Sequence, residues 1–260
     1  MYKNFLVAVV MPIHNEAQQI ERAIARIPDF VDYIFAVDDG SSDATWQKLY
    51  SIGDPRLQRL RHEKNLGVGA ATKTGYRQAL KSDADFVAVM DGDGQMAGED
   101  LSVLLDAAIE GADFVKGNRF LSQTIKRMPL GRWIGNCSFS FLTRHAVSFS
   151  EKIDAQCGFT VIRRRALDCL NIEGLFNRYG FPNEMFFEAH RQGLKIANVP
   201  VQTIYGDEVS GINPFKVVPI IGWLIARNYL RRKWSILTTG WAASAKRPLR
   251  RFLKAEPINE

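Results

Sequence analysis

Two carboxylates one residue apart, each followed by glycine, close an apolar run in "FVAVMDGDGQM", residues 86–96. At the end of a buried strand Asp91 and Asp93 repel, and each raises the other's pKa. A hard divalent cation between them removes that conflict. An all-oxygen set suits Mg2+ or Mn2+, which takes one or two carboxylates and keeps positions for the oxygens of a diphosphate. In an extended segment Asp91, Asp93 and Gln95 share one face, so Gln95 can add a further oxygen. The competing reading is a solvated Asp-Gly turn. A calcium loop is excluded, because its bidentate glutamate would fall on Ser102.

A second cluster, "VDDGSSDAT" at 37–45, closes another apolar run. Carboxylates there can accept hydrogen bonds from a base or a ribose. Pro12–Glu16 follow the first apolar run in the same way. Ligands of open α/β sheets bind outside the carboxyl ends of the strands, so these clusters point to one site. Other chemistries are excluded. "GVGAATKTG" lacks the Gly-Lys-Ser/Thr ending of a P-loop and the third glycine of a dinucleotide fingerprint. No G-x-S-x-G is present, and the four histidines show no metal spacing.

These residues need strands to carry them. Apolar runs at 5–11, 33–38, 57–62, 85–90, 113–120 and 195–204 read as strands. "IDAQCGFTVIRRRAL" adds another strand and a helix start. Between them lie amphipathic helical stretches at 15–27, 67–80, 98–111 and 181–193, with Asn15 as candidate N-cap of the first. The alternation predicts an α/β, Rossmann-like fold with a mostly parallel sheet flanked by helices. "LSQTIKRMPLGRW", 121–133, is basic and irregular and reads as an active-site loop.

The formal net charge of +6 is unevenly spread: from Ile212 onward ten lysines and arginines face two acids. A basic tail on a slightly acidic body calls for an anionic partner surface. "NPFKVVPIIGWLIARNYLRRKW" holds an apolar run at 217–226, too short to span a bilayer. Edged by Tyr229 and Trp234, it suits a helix lying in an anionic membrane interface. Nucleic acid is disfavoured, since no recognised module accompanies the charge. Cys137, Cys157 and Cys169 have no metal-ligand spacing and read as reduced thiols of a cytosolic protein.

As an ordered set, "VVMPIHNEAQQI", "AVDDGSSDAT", "NLGVGAATKTGYRQAL", "VMDGDGQM", "GNRF", "DAQCGFTVIRRRAL" and "IANVPVQTIYGDEVS" resemble the family 2 glycosyltransferases of the GT-A fold. Within that family the nearest resemblance is to the dolichol- and polyprenol-phosphate sugar transferases. It implies a GT-A domain, taken as residues 1–211, and the basic amphipathic remainder, 212–260, reads as a membrane-associating segment. The implied activity is inverting, metal-dependent transfer of a sugar from a UDP- or GDP-sugar to a polyprenyl phosphate, dolichyl or undecaprenyl, at the cytoplasmic face of the membrane.

Residue by residue, the resemblance puts Pro12, His14, Asn15, Glu16, Asp38, Asp39, Lys73 and Asp91 at the nucleotide sugar. Asp91, Asp93 and Gln95 match the D-x-D-x-Q metal site. Arg119, Lys126, Arg127 and Arg132 match the acceptor-phosphate positions, and Asp93, Arg119 and Asp154 fall at the reaction centre. The chain departs from the pattern at His14, where an aromatic residue is common. It departs again at "NE", 183–184, where relatives that glycosylate hydroxyls carry an acidic pair. The alternative acceptor is a saccharide hydroxyl, which needs a general base; Asp154 and Glu184 are the candidates. A lipid phosphate is already ionised and needs cations to position it.

Overall fold

The computed structural model describes residues 1–122, 128, 130–204 and 214–239. Lys126, Arg127 and everything from 240 onward lie outside the described residues, and so do the side chains of 130, 132, 214–217 and 235–239.

Seven strands form one sheet: β1 (Val7–Ile13), β2 (Tyr33–Asp38), β3 (Leu57–Arg61), β4 (Phe86–Val89), β5 (Phe114–Asn118), β6 (Thr160–Arg163) and β7 (Ile196–Pro200). Their order is β3-β2-β1-β4-β6-β5-β7. All neighbours are parallel except β6, which runs antiparallel to both β4 and β5. The mostly parallel sheet agrees with the expected fold. The reversal at β6 leaves no mark in sequence, because an alternating apolar run reads the same in either direction.

Eight helices accompany the sheet among the described residues: α1 (Ile20–Ala25), α2 (Thr45–Ser51), α3 (Val68–Ala79), α4 (Asp100–Ile109), α5 (Leu130–Val147), α6 (Arg164–Cys169), α7 (Phe181–Arg191) and α8 (Pro214–Thr239). The sheet is covered on both faces. Val7, Val9, Met11 and Ile13 of β1 pack into one core with α1 and α4, while Ala8 and Val10 pack into the other with α3, α6 and α7. That period of two explains why β1 is an unbroken apolar run: both of its faces are buried.

Two expectations need correction. The first helix starts at Ile20, not near Asn15, and Asn15 adopts φ 58° in a loop. Instead of capping, its side-chain oxygen accepts from the Ser42 amide at 2.9 Å, which stitches the loop after β1 to the loop after β2. Second, the stretch read as irregular through residue 133 gives way at Leu130 to α5, an 18-residue helix. Its sequence mixes Ser, Thr, Cys, Phe and Arg, so no clean apolar face announces it.

Candidate active site

The strand order turns the sequence clusters into a site. β2, β1 and β4 are adjacent and parallel, so the segments after them emerge side by side. Ile13 pairs with Asp38, and the Gly92 amide donates to the Pro12 carbonyl at 3.2 Å. The chain goes from β1 to β2 and β3 on one side and returns to β4 on the other. The crevice between the ends of β1 and β4 is therefore the topological switch point where such sheets bind ligands.

Asp91 and Asp93 do converge, but not by strand alternation. β4 ends at Val89 and the chain turns, with Gly94 at φ 69° and Asp93 Oδ1 accepting the Gln95 amide at 2.9 Å. Burial pushes the Asp91 carboxyl up to about 7, and Asp93 adds to that push; Arg119 and then Lys116 oppose it. Asp91 sits tightly: a Cβ on Gly158 would come within 2.9 Å of its Oδ2. A cavity of about 30 Å³, room for one water, borders Asp91 against Thr160, Tyr76, Phe181 and Met185. The Gln95 backbone carbonyl accepts from Ile204 at 2.9 Å, tying this turn to the segment after β7.

The donor set fits a hard cation. Two carboxylates repel in a poorly solvated place, and all available ligands are oxygen. No third His, Cys, Asp or Glu joins them among the described residues. Mg2+ and Mn2+ are commonly held by such a pair together with substrate phosphates.

The β1–β2 side is rigidly built. His14 Nδ1 donates to the Asp39 carbonyl at 3.0 Å. The Asn15 amide donates to Ser41 Oγ at 2.9 Å, and the Glu16 amide to Thr45 Oγ1 at 2.8 Å. Pro12 is buried at the end of β1. Asp38 is fully buried; its Oδ1 accepts from the Ser41 amide at 3.0 Å. Its Oδ2 lies 3.1 Å from Arg61 Nε, yet no aligned hydrogen bond reaches it among the described residues. Arg61 in turn covers the Trp46 ring at 5.1 Å.

Asp39 and Lys73 do different work. Asp39 accepts from His62 at 2.7 Å, from the Leu66 amide at 2.9 Å and from the Gly67 amide at 2.7 Å. Lys73 is buried and donates to the Glu173 carbonyl at 3.2 Å, the Leu175 carbonyl at 2.5 Å and Asn177 Oδ1 at 2.7 Å. All three ammonium protons are taken by the 173–177 segment, so the structure does not bring Lys73 to the crevice. Any effect on a ligand passes through that segment.

On the other side of Asp91, Asp154 is fully buried and grips Arg119 in two places: Nε to Oδ2 at 2.5 Å and Nη2 to Oδ1 at 3.0 Å. Both Asp154 oxygens are therefore committed to holding the guanidinium fork. The expectation of Asp154 as a base is thereby displaced by a positioning role toward Arg119. Beneath them the buried Lys116 donates to the Cys157 carbonyl at 2.5 Å. Arg119 and Lys116 both favour the ionised form of Asp91, which sets the cationic cluster beside the acidic pair.

Glu184, the other candidate base, is buried in the first turn of α7 and accepts from Arg227 and Asn228 of α8. It latches α8 onto the body. Glu184→Ala leaves a mostly buried arginine without its partner. It is expected to destabilise the protein by roughly 2–4 kcal/mol, allowing for the partial exposure of Arg227. An unchanged urea midpoint would show that the latch carries no stability.

Sequence reasoning missed Lys116, Gly158 and the 175–180 loop. Of these only Gly158 lies in a quoted motif, and each matters through partners distant in sequence. Of the basic loop, Lys126 and Arg127 lie outside the described residues, as does the side chain of Arg132.

The model of the family described as Glycosyl transferase family 2 matches residues 8–170. The chain is 30% identical over 217 residues to the UDP-N-acetylglucosamine–dolichyl-phosphate N-acetylglucosaminyltransferase of Methanococcus voltae, covering 77% of this chain and 86% of that one. It is 27% identical over 200 residues to the polyprenol monophosphomannose synthase of Mycolicibacterium smegmatis, covering 74% and 75%. Among solved structures, glucosyl-3-phosphoglycerate synthase from Mycobacterium tuberculosis, in complex with Mn2+, UDP and glucosyl-3-phosphoglycerate, superposes with TM-score 0.63. That match is at 20% identity over 88% of this chain and 80% of that one. At that identity the likeness speaks for the fold alone.

Proposed function

The chain belongs to glycosyl transferase family 2 and is a glycosyltransferase; from that membership we propose that it moves a sugar from a UDP- or GDP-linked donor to a polyprenyl phosphate. The observation that carries the acceptor class is the state of the two candidate bases. Asp154 is locked to Arg119 and Glu184 to Arg227. A hydroxyl acceptor needs a base at the reaction centre, whereas an ionised phosphate needs only cations to hold it. Two relatives named for dolichyl-phosphate and polyprenol acceptors support the same class.

In this mechanism Pro12, His14, Asn15, Glu16 and Asp38 form the nucleotide wall. The buried Oδ2 of Asp38 accepts from a base N–H, and Arg61 on Trp46 closes that corner. Asp91 and Asp93, with Gln95 beside them, would hold Mg2+ or Mn2+, which when bound neutralises charge on the leaving diphosphate. Arg119, fixed in plane by Asp154, orients the acceptor phosphate for attack on the face opposite the leaving group. Lys126, Arg127 and Arg132 add positive charge along the acceptor loop. Asp39 and Lys73 act indirectly, by holding the 66–67 and 173–177 segments that border the crevice. The test is product mass after incubation of nucleotide sugars with undecaprenyl and dolichyl phosphate; a phosphate-linked sugar supports the proposal.

The acceptor's lipid requires a membrane, and the surface offers a place for one. Among the described residues, nine of the fifteen large exposed apolar side chains sit on α5 and α8, including Trp133, Phe141, Trp223, Leu230 and Trp234. Arg144 lies over Phe141, Arg227 over Trp223 and Lys233 over Tyr229. Aromatic and basic groups mixed in this way suit peripheral binding to an anionic cytoplasmic leaflet. No described helix is long and apolar enough to cross a membrane. Leu230→Ser with Trp234→Ser is expected to cut cosedimentation with phosphatidylglycerol vesicles several-fold. Unchanged binding would remove the membrane from the proposal.

A further inference from the structure

The 175–180 loop, "LFNRYG", is far more firmly anchored than its exposed tip requires. The buried Lys73 ammonium holds it at Leu175 and Asn177, and holds the adjoining Glu173 carbonyl as well. The Ala70 amide donates to the Asn177 carbonyl at 3.0 Å, and the Phe181 amide to the Arg178 carbonyl at 3.1 Å. Gly67 and Gly69 approach the same loop so closely that a Cβ on either would come within 2.4 Å of a backbone oxygen. What this anchoring presents is Tyr179, which remains 46% exposed.

Three observations put Tyr179 beside the crevice. Tyr179 immediately precedes Gly180, the N-cap of α7. Phe181 and Pro182, the next residues, share a cavity wall with Asp91. Burial raises the phenol pKa first, and the negative charges of Asp91 and then Glu16 raise it further. Those carboxylates follow different strands, β4 and β1, so the phenol lies within electrostatic reach of both strand ends. There it stays protonated, a hydrogen-bond donor on a rigid aromatic arm.

We propose that Tyr179 closes the donor crevice opposite the β1 loop and donates its hydroxyl proton to the diphosphate of the bound nucleotide sugar. This rests on the nucleotide-sugar reading above. It gives the buried lysine of α3 a purpose: Lys73 positions Tyr179 through the loop rather than touching the donor itself. It also supplies a neutral donor beside an acidic pair, where a second fixed cation would compete with the metal.

The experiment is calorimetric titration of the full-length protein with UDP, GDP, UMP and GMP in the presence of Mn2+, using wild type, Tyr179→Phe and Tyr179→Ala. A hydrogen bond to a charged oxygen corresponds to a loss of about tenfold in diphosphate affinity when removed. Tyr179→Phe is expected to show that loss for the diphosphate while leaving the monophosphate within about twofold. Tyr179→Ala should lose at least as much, and donor KM should rise in both variants without change in acceptor KM. Wild-type diphosphate affinity in both variants would overturn the proposal, as would equal losses for diphosphate and monophosphate. A wild-type protein that binds no nucleotide would fail earlier, overturning the nucleotide-sugar reading itself.

Discussion

Asp91→Asn is expected to abolish sugar transfer and, without metal, to make the protein more stable than wild type at neutral and higher pH. Asp91 has its carboxyl raised from 3.8 to about 7 by burial and by Asp93. A carboxyl raised on folding favours the folded state while it is protonated. That contribution is complete below about pH 4 and is lost as pH climbs to about 7. Above that window the metal-free wild type carries two like charges in a poorly solvated turn, a penalty on the order of a few kcal/mol. Asparagine keeps the shape and removes one charge. Urea unfolding at pH 5 and pH 8, each with EDTA and with Mn2+, separates the effects. The variant should gain on wild type only at pH 8 in EDTA, and Mn2+ should stabilise only the wild type. Transfer should fall by about a hundredfold or more, the scale of removing a main electrostatic stabiliser of a leaving group. A variant that keeps turnover, or that is no more stable in EDTA at pH 8, would break the link between the acidic pair and a cation.

The second large effect concerns Arg119. Its fork is held by Asp154 at 2.5 and 3.0 Å, so the guanidinium plane is set before any acceptor arrives. Arg119→Lys keeps the charge and loses the fixed fork. It is expected to lower kcat/KM for polyprenyl phosphate by about a hundredfold while slow hydrolysis of the donor by water stays within a few-fold. Asp154→Asn should mimic it more weakly, because the arginine remains but is no longer aimed. Arg119→Ala is a poorer probe, since it strands a fully buried carboxylate at roughly 3–5 kcal/mol of stability. Equal losses in transfer and in donor hydrolysis would move Arg119 from the acceptor to the donor.

The sequence made the strand ends legible because burial on both faces of a parallel sheet writes long apolar runs, and polar residues can appear only where the runs stop. β2 matches its expected bounds to the residue, and the acidic clusters expected at one site follow β1, β2 and β4, which are adjacent in the sheet. The geometry inside the site was not legible. Asp91 and Asp93 meet through a turn, which needs a positive φ at Gly94 that no apolar pattern encodes. The partners of Asp154 and Glu184 are 35 and 43 residues away, so nothing local distinguishes a carboxylate awaiting a proton from one clamped by arginine. The resemblance puts Lys73 at the nucleotide sugar. Only the fold reveals three acceptors about a hundred residues downstream. Tyr179 carried the faintest signal, an aromatic residue before a glycine N-cap with proline in the first turn of the helix.

The most direct measurement is mass spectrometry of the products formed from a panel of UDP- and GDP-sugars with undecaprenyl phosphate, dolichyl phosphate and oligosaccharide acceptors, each with Mn2+ and with EDTA. The account predicts a lipid-monophosphate-linked sugar from one donor, absent in EDTA and absent with Asp91→Asn. A sugar joined to an oligosaccharide hydroxyl, or a lipid product that forms equally well in EDTA, would contradict it.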